Sequence, residues 1–408
     1  MRIGLLPGSS AIIGGAFQYS ISMVDALDPH MARAEGDELV LLLHAGSELD
    51  EGALRSAGWE IIPAGPPLGL FRRRLAGLRA RRAYRDGLDS IRPRRNDALA
   101  RWLREHRIEL MLYPVPTSEA FEARVPYVLA VHDLQHRLQP EFPEVSADGQ
   151  AEAREYVFRN GIANAATVLV DSETGKEDVL DLYSDVGIAA EQVVVLPFPA
   201  PPYLGEGDAD DVHERYGLPD RYLFYPAQFW PHKNHVRLVE AIAALAARGV
   251  RVPLVFSGTH STSIREETHA AVLSRAEELG VADLVHDLGY VPGDDMAPLY
   301  RGAVALAMPT FFGPTNIPVI EAWALGCPVI TSDIRGIREH VGEAGLLADP
   351  RSTEAWAVSI QRLWSDETLR RTLAERGRER LADHDPERFR ERLLGAIAAA
   401  KEHVASSR

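Results

Sequence analysis

Lys233 has the setting in this chain that most invites chemistry. It lies in Tyr225-Pro226-Ala227-Gln228-Phe229-Trp230-Pro231-His232-Lys233-Asn234-His235, after the apolar run 223–225 and before an amphipathic stretch over 236–248. At a helix N-terminus the helix dipole and an ammonium charge both attract an anion. A departing diphosphate carries about two to three negative charges, and a preorganised cation would stabilise it. A second cluster, Val131-His132-Asp133-Leu134-Gln135-His136, directly follows an apolar run. In open α/β sheets ligands sit beyond the carboxyl ends of the strands. His132 is therefore placed to donate a hydrogen bond to a substrate hydroxyl. His132 and His136, at i and i+4, would share a helix face and could instead hold zinc. Against zinc, Asp133 stands where a metallopeptidase uses Glu, and the sequence offers no obvious third ligand.

Two further stretches suit anion or hydroxyl binding. In Pro309-Thr310-Phe311-Phe312-Gly313-Pro314-Thr315-Asn316-Ile317-Pro318-Val319-Ile320-Glu321-Ala322-Trp323, Asn316 is a good N-cap and Pro318 suits a first helical turn. A helix is expected from near Ile317 to about Leu325, stopped by Gly326 and followed by a strand at 328–331. Thr315 and Asn316 then present a hydroxyl and an amide at the helix start, and Glu321 can accept bonds from paired ribose hydroxyls. Gly14 and Gly15 follow the apolar start 3–6 and open an amphipathic run to Leu27. Strand, glycine turn and helix together can aim backbone N–H groups at an anion. The full dinucleotide fingerprint is absent, and a tight turn accounts for the glycines equally well.

These groups need rigid elements behind them. Short apolar runs at 40–43, 110–113, 127–131 and 167–170, then at 223–225, 252–256, 304–308 and 328–331, alternate with helical patterns such as 236–248 and 263–279. Such alternation predicts an α/β fold with parallel sheets covered on both faces. A chain of 408 residues is expected to split into two domains. The boundary is expected at 197–211, where four prolines, two glycines and four carboxylates oppose regular structure. This gives domains at 1–200 and 212–385. A terminal helix over 386–408 carries Leu393, Leu394, Ile397 and Ala400. An Asp-x-Asp at Asp208 and Asp210 falls in the hinge and is discounted as a metal site.

Composition narrows the function. A net charge of −15 argues against a general nucleic-acid binder. The lone Cys327 fits a reducing compartment. Pro7 and Gly8 interrupt the N-terminal apolar run, and no run of about 18 apolar residues occurs. A cytoplasmic protein is expected. The segment 71–107 holds 13 Arg against 4 acidic residues and leaves a net −24 on the remainder. It is a solvated helical face, or a surface for anionic lipid or a phosphorylated acceptor that would give peripheral contact with the inner membrane face.

Taken together, these motifs resemble glycosyltransferase family 4, the retaining group with the GT-B fold. Pro-Ala-Gln-Phe-Trp-Pro-His-Lys-Asn-His resembles its Gly-Arg-x-x-x-x-Lys-Gly element. The stretch from Gly313 to Glu321 resembles its Glu-x7-Glu element. Ala324-Leu325-Gly326-Cys327-Pro328-Val329-Ile330 and Gly345-Leu346-Leu347-Ala348-Asp349-Pro350 are similar to the segments that follow. The resemblance implies two Rossmann-like domains with sheets facing a central cleft, the acceptor on the first and the nucleotide sugar on the second. It implies that the C-terminal helix crosses back onto the first domain. It further implies that Gly14 and Gly15 face donor phosphate or acceptor, His132 the donor sugar and the reacting centre, Lys233 the diphosphate, Glu321 the ribose, and Gly289-Tyr290-Val291 the base. The implied reaction moves sugar from a nucleoside diphosphate to a sugar or lipid-linked acceptor with retention, without metal or other cofactor.

Two positions depart from the pattern. Gln228 stands in place of a diphosphate-binding Arg, and Gly313 in place of the first Glu, which usually meets the donor sugar. Thr315 and Asn316 are expected to take over polar contacts, and a deoxysugar donor would explain the change. A sugar-nucleotide epimerase, a phosphorylase and a catalytically silent nucleotide-sugar-binding partner are the alternatives on the same fold.

Overall fold

The computed structural model describes residues 1–8, 15–65, 95–200, 209–261 and 263–406, without the side chains of 209–211. Gly14, most of the arginine-rich segment and the Asp-x-Asp carboxylates lie outside the described residues.

The chain forms two compact units. The first comprises Met1–Glu141, Val145–Pro199 and Pro386–Arg408; the second comprises Phe142–Glu144 and Ala200–Asp385. Among the described residues the first holds seven parallel strands: β1 (Arg2–Leu5), β2 (Glu38–Leu43), β3 (Glu60–Pro63), β4 (Leu110–Tyr113), β5 (Tyr127–Val131), β6 (Thr167–Val170) and β7 (Val193–Val195), in the order β3-β2-β1-β4-β5-β6-β7. The second holds six: β8 (Leu223–Pro226), β9 (Leu254–Ser257), β10 (Val285–Asp287), β11 (Ala305–Met308), β12 (Val329–Ser332) and β13 (Leu346–Ala348), in the order β10-β9-β8-β11-β12-β13. The interior strands β4, β5, β6, β9, β11 and β12 are buried along their whole length, as a sheet covered on both faces requires.

Each sheet reverses its winding once, between β1 and β4 and between β8 and β11. Ligands of open α/β sheets collect beyond the carboxyl ends of strands at such switch points. The loops after β8 and β11 carry the two longest motifs singled out above.

Local chemistry moves a few boundaries. β9 starts at Leu254 rather than 252, and β12 at Val329 rather than 328. Pro253 and Pro328 have no N–H for the ladder, yet their carbonyls accept bonds from Leu223 and Leu306. The helix Ala209–Tyr216 begins inside the stretch expected to oppose helix, because the prolines and glycines all precede it. The helix Pro386–Ser406 belongs to the first unit, where Phe389 meets Tyr19 edge-on at 5.9 Å between ring centroids. Among the described residues no helix is long and apolar enough to cross a membrane.

Candidate functional site

In the second unit the site grows from two loops joined by backbone. After β8 the chain runs through Gln228 into the short 3-10 turn Pro231–Lys233 and then the helix His235–Ala246. Asn234 adopts φ +58° between them, a conformation that asparagine tolerates better than most residues. Its amide donates to the carbonyls of Pro309 (3.0 Å) and Pro350 (2.9 Å). Phe311 N–H donates to His232 O at 2.7 Å, and Tyr225 Oη to Lys233 O at 2.9 Å. The backbone around Lys233 is thus fixed from three sides, and its side chain is part-exposed at the start of a twelve-residue helix. His235 serves packing: it is fully buried, stacks on Phe229 at 4.3 Å, and burial pushes its pKa down to about 3.

The loop after β11 departs from expectation in one respect. Asn316 occupies the N-cap position of the helix Ile317–Ala324, but its side chain caps nothing and donates instead to Gly313 O at 3.2 Å. Gly313 explains why: its φ is +122°, and a Cβ there would stand 2.9 Å from Asn316 Oδ1. Asn316 folds back onto the turn in space that a side chain at 313 would claim. Gly-Pro-Thr-Asn is therefore a turn of its own, into which glutamate would not fit without displacing Asn316. Thr315 is part-exposed beside it. Glu321 is buried and accepts a 2.5 Å bond from Tyr300 Oη. Tyr290, after β10, is 70% exposed, whereas the Val291 side chain sits in the core, so a ligand would meet its backbone.

Sequence reasoning missed two charged residues here. Arg265 is buried, donates to Thr259 Oγ1 at 2.9 Å and lies over the Trp230 ring at 4.9 Å; Trp230 Nε1 in turn donates to Gln228 Oε1. A positive charge thus lies one ring away from the position that lacks arginine. Glu144, from Phe142–Glu144, accepts from both His232 N (3.1 Å) and Nδ1 (2.6 Å). Burial alone would raise its pKa, but the His232 bond and charge outweigh it and lower it. Glu144 lies 88 residues from His232, and no local motif joins them.

In the first unit three adjacent strands converge on His132. It follows β5; Pro114 follows β4 and Asp171 follows β6. His132 Nδ1 lies 3.2 Å from Asp171 Oδ1, and Nε2 lies 2.8 Å from Pro114 O. Both partners are acceptors, so the geometry favours a doubly protonated ring. Burial would lower its pKa, yet the Asp171 carboxylate and both hydrogen bonds overcome this and raise it. Tyr19 packs edge-on against the ring at 4.6 Å. His136 points elsewhere, to Glu155 Oε2 (3.3 Å) and Tyr183 Oη (3.2 Å), so the two histidines do not converge on one ion. The short helix Gln135–Leu138 begins after His132, which removes the shared face that zinc needed. Gly15, exposed, is the first residue of the helix Gly15–Ala26.

Two α/β units with all-parallel sheets, each with one winding reversal, define the GT-B class of fold. Residues 209–380 match the family described as Glycosyl transferases group 1. The chain is 27% identical over 241 residues to O-antigen chain mannosyltransferase B of Escherichia coli, covering 58% of this chain and 61% of that protein. It is 27% identical over 264 residues to D-inositol 3-phosphate glycosyltransferase of Corynebacterium glutamicum (strain R), covering 62% and 61%. The matches thus span about three-fifths of these relatives' length. Anabaena Alr3699/HepE, solved in complex with UDP-glucose, superposes with a TM-score of 0.70 at 18% identity, covering 98% of this chain and 100% of that one.

Proposed function

We propose that this chain is a glycosyltransferase of the family 4 type. It moves a hexose-type sugar from a nucleoside diphosphate to an acceptor hydroxyl with retention at the anomeric carbon, in glycan or glycoconjugate biosynthesis. The observation that carries this reading is the pair of stitched loops at the switch point of the second sheet, inside the segment that matches the glycosyl transferases. Lys233 and the helix start behind it hold the diphosphate as it leaves. Arg265, through Trp230, lends the positive field that Gln228 lacks. Thr315 and Asn316 meet sugar or phosphate, Glu321 the ribose, and Tyr290 with the Val291 backbone the base. His132, whose Nδ1 is held by Asp171, would serve the transferred sugar by turning Nε2 away from the Pro114 carbonyl that now accepts its bond. In this mechanism the phosphate oxygen takes the acceptor proton, and no metal is required. The protein works in the cytoplasm, with 71–107 available for a lipid-linked acceptor or the inner membrane face.

The test is Lys233→Ala. With a matched donor and acceptor, kcat is expected to fall about 10²–10³-fold, the usual cost of removing one preorganised charge-stabilising group. The melting temperature should stay near wild type, since the side chain is part-exposed. The donor comes from thermal-shift screening of nucleotide sugars, where a ligand at 100 times its Kd adds about 2.7 kcal/mol. Undiminished transfer and nucleotide affinity in the variant would refute the reading.

A further inference from the structure

The loops after β9 and β10 bring together three side chains that the proposed transfer does not use. His260 lies in the loop after β9, His269 on the helix Ser263–Glu278, and Asp287 ends β10. One potential ligand atom from each lies within 4.8 Å of the other two. His269 Nε2 is 2.6 Å from Asp287 Oδ2, and the two imidazoles stack at 4.1 Å with 6° between their planes. Among the described residues the His260 ring makes no hydrogen bond.

We propose that His260, His269 and Asp287 form a binding site for a divalent transition-metal ion of the zinc class. Two imidazoles and a carboxylate make a borderline donor set that suits zinc, cobalt or nickel better than magnesium or calcium. The supporting contacts are those of a metal site. Asp287 Oδ1 accepts the Gly289 N–H at 3.0 Å, which aims its other oxygen at His269. Phe229 closes one side, edge-on to His269 at 4.7 Å and to His260 at 6.2 Å. Three protein ligands leave a fourth position for water or an exogenous ligand.

Closing on an ion asks for a small, local movement. With bonds of about 2.0–2.1 Å, tetrahedral ligand atoms stand roughly 3.3 Å apart. The contact between His269 and Asp287 therefore opens by less than about 1 Å. The His260 ring has to turn out of its stack, because parallel rings cannot both direct in-plane lone pairs at one point. It sits in a loop without regular secondary structure and has no ring hydrogen bond among the described residues to give up. The ion would fix the Asp287-to-Gly289 turn directly before the exposed Tyr290, and through the Gly258 N–H bond to Gly289 O (2.8 Å) it would tie the two loops together.

The test needs no sugar donor, so it stands apart from the transfer assay. Untagged, metal-stripped full-length protein is titrated with Co²⁺ by visible absorption, and with Zn²⁺ by competition and calorimetry. Wild type is expected to take up one ion per chain with ligand-field bands. His260→Ala and His269→Ala should each weaken binding more than about a hundredfold, since even outer-shell partners of metal ligands are worth 10–100-fold. Melting curves of the metal-free proteins check the fold. Should His269→Ala unfold, His260→Ala decides, because the His260 ring lies on the loop. Wild-type affinity in His260→Ala, or no more uptake by wild type than by the double variant, overturns the site.

Discussion

The two units hold their candidate groups by different balances of backbone and charge. Around Lys233 the scaffold is backbone: Phe311 N–H on His232 O, and the Asn234 amide on two carbonyls from distant loops. Around His132 it is side-chain charge, with Asp171 on one ring nitrogen. Nearby in the same unit, Glu155 is gripped by His136, Arg137 and Tyr183. Backbone bonds carry no net charge and do not titrate between pH 2 and 10. Buried ion pairs do, and losing one partner leaves the other uncompensated. The second unit has titrating contacts too, since Glu144 holds His232 and the buried His235 stays neutral, but its loops are tied mainly by backbone, whereas His132 and Glu155 in the first unit are held by charged partners.

Three substitutions sharpen or break that contrast. The largest effect belongs to Gly258→Ala in the second unit. Gly258 has φ +156°, and a Cβ there would stand 2.3 Å from Ala227 O, which is backbone and cannot swing away. A loss of about 4 kcal/mol is expected, with no pH dependence between 5 and 9, measured by denaturant melts. A mild, pH-dependent loss would mean that the loops are not backbone-locked. Next comes Glu155→Gln in the first unit. Burial would raise the Glu155 pKa, but His136 and Arg137 lower it to about 2 from 4.5. Its folded pKa is depressed, so its stabilisation is present above pH 4.5 and lost as pH falls towards 2. The variant should be about 2–3 kcal/mol less stable at neutral pH, and the difference should vanish towards pH 2.

The smallest effect is that of Asp171→Asn. The His132 pKa is raised above 6.5, so its imidazolium stabilises the fold fully below pH 6.5, and that contribution is lost as pH rises through the folded value. The variant should cost about 1–2 kcal/mol below pH 6.5 and less in alkali, with the His132 ring titrating lower by NMR. An unmoved titration would remove Asp171 as the group that positions the ring.

The nine interior strands among the described residues could be read from the sequence because burial on both faces gives each an apolar stretch. The strands that could not be read, β3, β7, β10 and β13, are the four sheet edges. Each is three or four residues long and partly exposed, and so blends into loop. The site divides in the same way. Lys233, Asn316 and Glu321 announce themselves through helix starts and turn residues. Asp171 lies 39 residues from His132, and Glu144 lies 88 from His232. Those pairs exist because neighbouring strands or a returning segment place them together, and no local spacing encodes that. Gly313 marks the other limit, since its substitution reads as a lost carboxylate until its backbone angle and Asn316 are seen together.

The helix Pro386–Ser406 has a consequence for the order of assembly. It packs on β5, β6 and the helix Gly15–Ala26, burying Leu393, Ile397 and Ala400. A ribosome makes the whole of Ala200–Asp385 before that cover exists. The first unit is thus completed after the second, and its nascent strands must wait, with apolar surface bare, for residues 386–406 to emerge.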